Sequence, residues 1–67
     1  MIGENLIING KAAEVGMEVK TFRGEKGILL YWREPHKSSS SGHVYVLLNG
    51  EDTEREFYPS VIGGKFI

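Results

Sequence analysis

Apolar and polar residues alternate with a period of two through much of the chain between residues 17 and 58. This alternation places every second side chain on one face of an extended chain, so it predicts half-buried β-strands. The pattern divides into four short segments, residues 17–22, 27–33, 43–48 and 54–58. Turn-forming sequences separate the segments, and this spacing is typical of a small closed or nearly closed β-barrel.

The first two segments differ in their apolar content. In residues 17–22, Met17, Val19 and Thr21 fall on one face, and the residues between them fall on the other. Residues 27–33 are almost continuously apolar as far as the tryptophan, which predicts burial on both faces. A long, bent strand shared between the two sheets of a small barrel would have this composition, and its register stays open.

The last two segments form a predicted hairpin with a tight turn at Asn49-Gly50. A loop with an even number of residues places Val44 and Val46 on the same face as Phe57. An odd loop would send two glutamates inward, which is costly for unpaired charges. The even register therefore predicts an acidic and aromatic outer face, formed by Tyr45, Leu47, Glu54, Glu56 and Tyr58.

The C-terminal residues predict one short helical element and a last strand. Pro59 is suited to the first position of a single helical or 3₁₀ turn, and Gly63 is placed to end it. Val61 and Ile62 would then plug the barrel. Residues 64–67 would form a last short strand that returns Phe66 or Ile67 to the core.

Residues 1–16 are predicted to be an N-terminal arm or an extra strand. Leu6, Ile7 and Ile8 need burial, either over one open end of the barrel, which we favour, or as a strand added to a neighbouring subunit. The segment 11–15 is bracketed by glycines too closely for a stable helix. Residues 17–67 would form the barrel itself.

Composition limits the function classes. The chain has 67 residues, eight basic and nine acidic, with a net charge of −1. This balance argues against a protein whose main task is to neutralise phosphates, although it leaves room for a local basic patch. The absence of cysteine favours a reducing, cytoplasmic setting. No apolar run approaches the roughly 18 residues of a membrane span, so a membrane partner is not expected.

Two segments resemble small barrels of known type. Val19 and the glycine-spaced stretch from Gly24 to Leu29 are similar to the core of KOW-type barrels, and residues 43–62 are similar to the hairpin and turn of Tudor-like barrels. The resemblance implies a five-stranded SH3-like barrel with one 3₁₀ turn before the last strand. Such barrels commonly bind nucleic acid, peptide tails or other subunits, and some are small stand-alone phage proteins. The lysine and arginine run of KOW-type RNA binders is missing here.

Aromatic residues supply the main candidate for a binding surface. Exposed rings offer apolar area at little entropic cost, stack on bases or prolines, and attract cations. The alternative is that so small a chain uses its rings as core, which we expect for Phe22. The candidate partner-binding residues are Tyr31, Trp32, Arg33, Tyr45 and Tyr58.

Basic residues on the first hairpin and the following loop supply a second candidate, a face for single-stranded nucleic acid. Because glutamates are interspersed among them, an ordinary mixed surface is the simpler interpretation. The candidate nucleic-acid-binding residues are Lys20, Arg23, Lys26, Arg33 and Lys37.

Catalysis and metal binding are not predicted. His36 and His43 flank a serine-rich loop, but two ligands do not make a specific metal site. Glu54 and Glu56 share a strand face without a cleft that would tune either carboxyl as an acid or base. We therefore predict a non-enzymatic binding or assembly module without a cofactor or small-molecule substrate. Its expected partner is a protein or a second copy of the chain, with nucleic acid as the alternative.

Overall fold

The computed structural model describes residues 2–35 and 42–67, and these form seven β-strands and one 3₁₀ turn. The strands are β1 (Ile2–Ile8), β2 (Lys11–Glu14), β3 (Glu18–Lys20), β4 (Lys26–Arg33), β5 (His43–Leu48), β6 (Arg55–Phe57) and β7 (Gly64–Phe66). The 3₁₀ turn spans Pro59–Ile62. Within the described residues no helix is long and apolar enough to cross a membrane.

The strands form two antiparallel sheets, ordered β2-β1-β7 and β3-β4-β5-β6. The prediction of an all-β fold is confirmed. The predicted strand number was wrong, because residues 2–35 and 42–67 form seven strands rather than five, and the two sheets formed by these residues do not close into a barrel. The additional strands come from the N-terminal residues.

Residues 2–14 form a hairpin rather than an arm laid over a barrel. Asn9 and Gly10 form its turn with φ values of 51° and 82°, the left-handed pair that a two-residue hairpin turn favours. Strand β1 pairs with β2 on one side and with β7 on the other, so it is the centre of its sheet. Both strands of this hairpin belong to this chain's own sheet.

The core lies between the two sheets. Leu6 and Ile8 from β1 are buried against apolar side chains of the larger sheet and of the 3₁₀ turn. Each fully buried aliphatic side chain stabilises the fold by about 1.5–3 kcal/mol relative to an exposed one. The buried residues are Leu6, Ile8, Ala13, Val19, Leu29, Val44, Val46, Leu48 and Ile62.

Strand β4 contains one residue more than the segment of β5 with which it pairs. Leu29 is paired with Val46, but Tyr31 is paired with Tyr45, so Leu30 is the extra residue of a β-bulge. The bulge agrees with the prediction of a bent strand. The predicted sharing between two sheets was wrong, because β4 pairs with β3 and β5 inside one sheet.

The predicted faces of the β5–β6 hairpin are confirmed. Val44 is opposite Phe57, and Val44 and Val46 are fully buried. Tyr45 is opposite Glu56, so these two side chains lie on the other face. The observed register corresponds to an even, four-residue turn.

The predicted C-terminal turn is also confirmed. Pro59 opens the 3₁₀ turn, and Gly63 ends it with a left-handed φ of 74°. Ile62 is buried, and Phe66 packs against the core from β7. Ile67 is 72% exposed, so Phe66 is the residue that returns to the core.

Candidate binding surface

The outer face of the larger sheet, which points away from the core, brings the aromatic residues together. Across β4 and β5, Tyr31 is opposite Tyr45 and Arg33 is opposite His43. Glu56 then follows on β6, opposite Tyr45. We call this region the aromatic surface, and it consists of Tyr31, Arg33, His43, Tyr45, Glu54, Glu56 and Tyr58.

Two tyrosine rings form the centre of the aromatic surface. The rings of Tyr31 and Tyr45 stack with their centroids 4.4 Å apart and their planes 14° from parallel. The Tyr45 hydroxyl donates to a carboxylate oxygen of Glu56 at 2.6 Å, and the Tyr31 hydroxyl donates to Glu54. Tyr31 therefore connects β4 to the residue immediately before β6. Both rings have a fixed position although Tyr31 is 38% exposed.

The two phenols are held in their protonated form. The hydrogen bond to Glu54 raises the pKa of Tyr31, and the hydrogen bond to Glu56 raises the pKa of Tyr45. The negative charge of each carboxylate adds to this effect, because a phenolate beside it would be repelled. The charge of Arg33 lowers the pKa of both tyrosines and opposes the shift.

A second ring pair extends the surface along the sheet. His43 and Tyr58 stack with centroids 5.2 Å apart and planes 29° from parallel. Tyr58 is 59% exposed. It also lines a groove of about 480 Å³ between the 3₁₀ turn and β7, together with Pro59 and Phe66. The aromatic surface thus borders this groove.

Four of the five predicted partner-binding residues lie on this surface, namely Tyr31, Arg33, Tyr45 and Tyr58. Trp32 does not join them. It is opposite Val44, half-buried, and packs against the core. The bulge at Leu30 sets which of the two neighbouring rings points outward.

His43 is the surface residue that sequence reasoning missed, since it was considered as a metal ligand and as a solvated loop or strand-edge residue, but not as part of a binding surface. Its position two residues before Tyr45 on the same strand was the available signal, because such residues share a face. Where the chain is described, no group of three or more metal-binding side chains could hold an ion. His36 and the serines at 38–41 lie outside the described residues.

The prediction that Phe22 belongs to the core was wrong, because Phe22 is 75% exposed. It lies in the turn between β3 and β4, next to Thr21, whose side chain is buried. The guanidinium of Arg23 lies over the Phe22 ring, 5.8 Å from its centroid.

The predicted basic residues do not form one patch. Lys20 and Lys26 are directly opposite each other at the turn end of the β3–β4 pair. Arg33 lies seven residues further along β4 than Lys26, roughly 23 Å away at the usual strand rise. Lys37 lies outside the described residues. Arg33 therefore belongs to the aromatic surface and not to the hairpin turn.

Comparison with known proteins adds no family. No protein-family model matches the chain, and no curated protein or solved structure matches it.

Proposed function

We propose that this chain is a non-enzymatic binding module that recognises a protein partner through the aromatic surface. The observation that carries the proposal is the stacked pair Tyr31–Tyr45 on the outer face of the larger sheet, in which Tyr31 is exposed, Tyr45 is half-buried and both hydroxyl groups are hydrogen-bonded. A ring that is already ordered loses little freedom on binding. Tyrosines of this kind are enriched among the residues that dominate the binding energy of protein interfaces.

The charges beside the rings favour a partner segment that carries arginine or lysine. Glu54 and Glu56 each accept one phenol hydrogen bond, and a carboxylate has lone pairs for further donors. Among the described residues neither carboxylate forms an ion pair. A guanidinium at this position would bond to a carboxylate and lie close to a tyrosine ring. A phosphate chain would be repelled by the same carboxylates, so this surface does not favour nucleic acid.

The order of the elements supports a relationship to SH3-like small barrels. Strands β3 to β6, the 3₁₀ turn and the short strand β7 follow one another as the sequence resemblance implies. In this proposal the hairpin β1–β2 is an addition to that pattern. Binding of other subunits or peptide tails is common among such barrels, and a second copy of this chain is one partner of this kind.

The test is an NMR titration of the ¹⁵N-labelled protein with two matched peptides, one of arginine–serine repeats and one of glutamate–serine repeats. The arginine peptide should shift the amide signals of β4, β5 and β6, whereas the glutamate peptide should not. In the double variant Tyr31→Ala/Tyr45→Ala the affinity should fall roughly thirtyfold, because a dominant interface residue is worth about 2 kcal/mol.

The matched control is Phe22→Ala, which removes an exposed ring away from this surface and should leave the peptide affinity unchanged. Sedimentation velocity of the protein alone tests whether a second copy is the partner. Equal shifts with both peptides, or shifts confined to residues outside the larger sheet, would contradict the proposal.

A further inference from the structure

The turn between β3 and β4 carries a second concentration of charge and exposed aromatic area, separate from the aromatic surface. We call it the hairpin tip and define it as Lys20, Phe22, Arg23 and Lys26. Phe22 is 75% exposed, whereas Phe57 and Phe66 are half-buried. An exposed ring contributes nothing to the core, so its position calls for another explanation.

The backbone of the hairpin tip is held rigidly. Gly24 N–H donates to the carbonyl oxygen of Thr21 at 2.9 Å, and Thr21 N–H donates to that of Glu25 at 2.8 Å. The Thr21 hydroxyl accepts the N–H of Glu25 at 3.1 Å. Phe22 N–H donates to the carbonyl oxygen of Val61 in the 3₁₀ turn at 2.9 Å. The exposed ring is therefore presented by an ordered turn rather than by a loose loop.

Two lysines face each other across this ladder. Backbone hydrogen bonds join Thr21 to Glu25 and Met17 to Leu29. Hydrogen-bonded and non-hydrogen-bonded pairs alternate along an antiparallel ladder, so the Lys20–Lys26 pair is a non-hydrogen-bonded one. Opposite side chains are closest at such a pair. Like charges directly opposite each other destabilise a sheet. An anion bound between the two ammonium groups would reduce this repulsion, so the pair favours a negatively charged ligand.

One positive charge lies over the aromatic ring, and a second lies over the turn beside it. Lys20 Cε lies 3.9 Å from the position that a Cβ atom on Gly24 would occupy, so this side chain folds back over the turn. The Arg23 guanidinium covers one face of Phe22. Lys20, Arg23 and Lys26 form no ion pair within residues 2–35 and 42–67. The one carboxylate of residues 20–26 belongs to Glu25, and the Thr21 hydroxyl donates to it at 3.4 Å.

We propose that the hairpin tip binds single-stranded nucleic acid, with one base stacked on Phe22 and the flanking phosphates held by Lys20, Arg23 and Lys26. Proteins that bind single-stranded nucleic acid without sequence preference stack bases on exposed aromatic rings and place cations along the phosphate backbone. An acidic peptide would satisfy the charges but would leave the flat ring without a matching partner. This site keeps three of the predicted basic residues and replaces the other two with Phe22.

The test is the fluorescence anisotropy of a labelled short oligothymidylate, titrated with the full chain at several salt concentrations. Three phosphates at about −0.7 each predict a slope near −2 for log K against log salt concentration. Lys26→Gln should reduce the slope to about −1.4. Phe22→Leu should weaken binding roughly tenfold without changing the slope, since it removes stacking and keeps the charge.

Three further variants sharpen the test. Phe22→Trp should retain the wild-type affinity because it preserves a stacking ring. Glu25→Gln should strengthen binding, since it removes the opposing charge. Lys11→Gln is the matched control, because it removes one exposed positive charge from β2 in the other sheet and should leave the affinity unchanged. Circular dichroism of each variant establishes that it is folded.

Three outcomes would overturn the proposal. The first is an absence of binding at low salt. The second is equal affinity of Phe22→Leu and the wild type, which would show general attraction to polyanions. The third is equally strong competition by oligoglutamate, which would identify an acidic protein segment as the ligand.

Discussion

At the scale of single residues, Tyr31 and Tyr45 show how rings on the outer face of a sheet are held in one orientation. Each ring is supported on one side by the other ring and at its tip by a carboxylate. Such exposed hydrogen bonds add little to the stability of the fold, because water competes for both partners. Their main effect is to select one orientation of each ring. Pre-ordering of this kind benefits binding more than folding.

The first prediction concerns the protonation of these tyrosines. In Glu56→Gln the pKa of Tyr45 should fall toward its ordinary value, because the carboxylate that holds the phenol protonated is gone. Site-resolved NMR titration of the tyrosine ring signals measures this change. Tyr31, whose partner is Glu54, should shift much less and serves as the internal control. Equal shifts of both tyrosines would contradict the separate pairing.

The raised pKa values also fix the sign of a pH effect on stability. A group whose pKa is higher in the folded state stabilises the fold below its unfolded pKa, which is about 10 for tyrosine. This contribution is lost as the pH rises through the folded pKa. The urea midpoint of the wild type should therefore decrease at strongly alkaline pH. The decrease should be smaller in Tyr31→Phe/Tyr45→Phe, because neither position then carries a phenol that can ionise.

At the scale of secondary structure, the N-terminal hairpin is an integral part of the fold. Strand β1 pairs on both sides and places Leu6 and Ile8 in the core. Ile67 N–H also donates to the carbonyl oxygen of Asn5 at 2.8 Å. The two ends of the described chain thus stabilise each other in one sheet.

The second prediction compares neighbouring residues of β1. Leu6→Ala should reduce the free energy of unfolding by about 2–5 kcal/mol, because it leaves a cavity in the core. Ile7→Ala, on the half-buried face, should cost clearly less. Urea denaturation of both variants measures the difference. If β1 were a dispensable arm, both variants would keep the wild-type midpoint.

Where a turn fixed the register, the sequence was sufficient to predict the strands and their faces. Asn49-Gly50 and the cost of burying Glu54 and Glu56 determined the β5–β6 hairpin correctly. The dipeptide Asn9-Gly10 is the same kind of signal, and it predicts the N-terminal hairpin once it is given equal weight. The aromatic surface was predictable for those of its residues that lie on the β5–β6 hairpin.

The remaining errors have two causes. The bulge in β4 changes the alternation, so Trp32 and Tyr31 could not be assigned to faces from spacing alone. Phe22 keeps the alternation, because Val19 and Thr21 are buried while Lys20 and Phe22 are exposed. The error at Phe22 came from the expectation that so small a chain buries its large rings.

At the scale of the whole molecule, residues of opposite charge lie on different turns at one end of the larger sheet, where Asn49 N–H donates to the carbonyl oxygen of Lys26 at 2.9 Å. The hairpin tip is basic, and Glu51, Asp52, Glu54 and Glu56 lie around the β5–β6 connection and on β6. Of this acidic group, Glu51 forms an ion pair with Arg55 at 2.9 Å. A net charge of −1 therefore conceals two regions of opposite sign. The two proposed sites use these two regions and attract ligands of opposite charge.

The third prediction is that the two sites act independently. Saturating the hairpin tip with oligothymidylate should change the affinity for the arginine peptide by no more than about twofold. The protein is immobilised and the two probes are loaded one after the other, so that they do not bind each other in solution. Distant sites without shared partners are usually additive. Surface plasmon resonance measures both affinities. Mutual exclusion of the probes would indicate one shared site.

The extra residue in β4 has a consequence for chain length. If Leu30 were deleted, Leu29 would be followed directly by Tyr31, and the strand would match β5 residue for residue. Tyrosine would still face solvent and tryptophan would still face the interior. If Leu30 were kept and the strand were straightened, the two rings would exchange sides. The bulge thus works as a spacer that lets an eight-residue strand present the same faces as a seven-residue one.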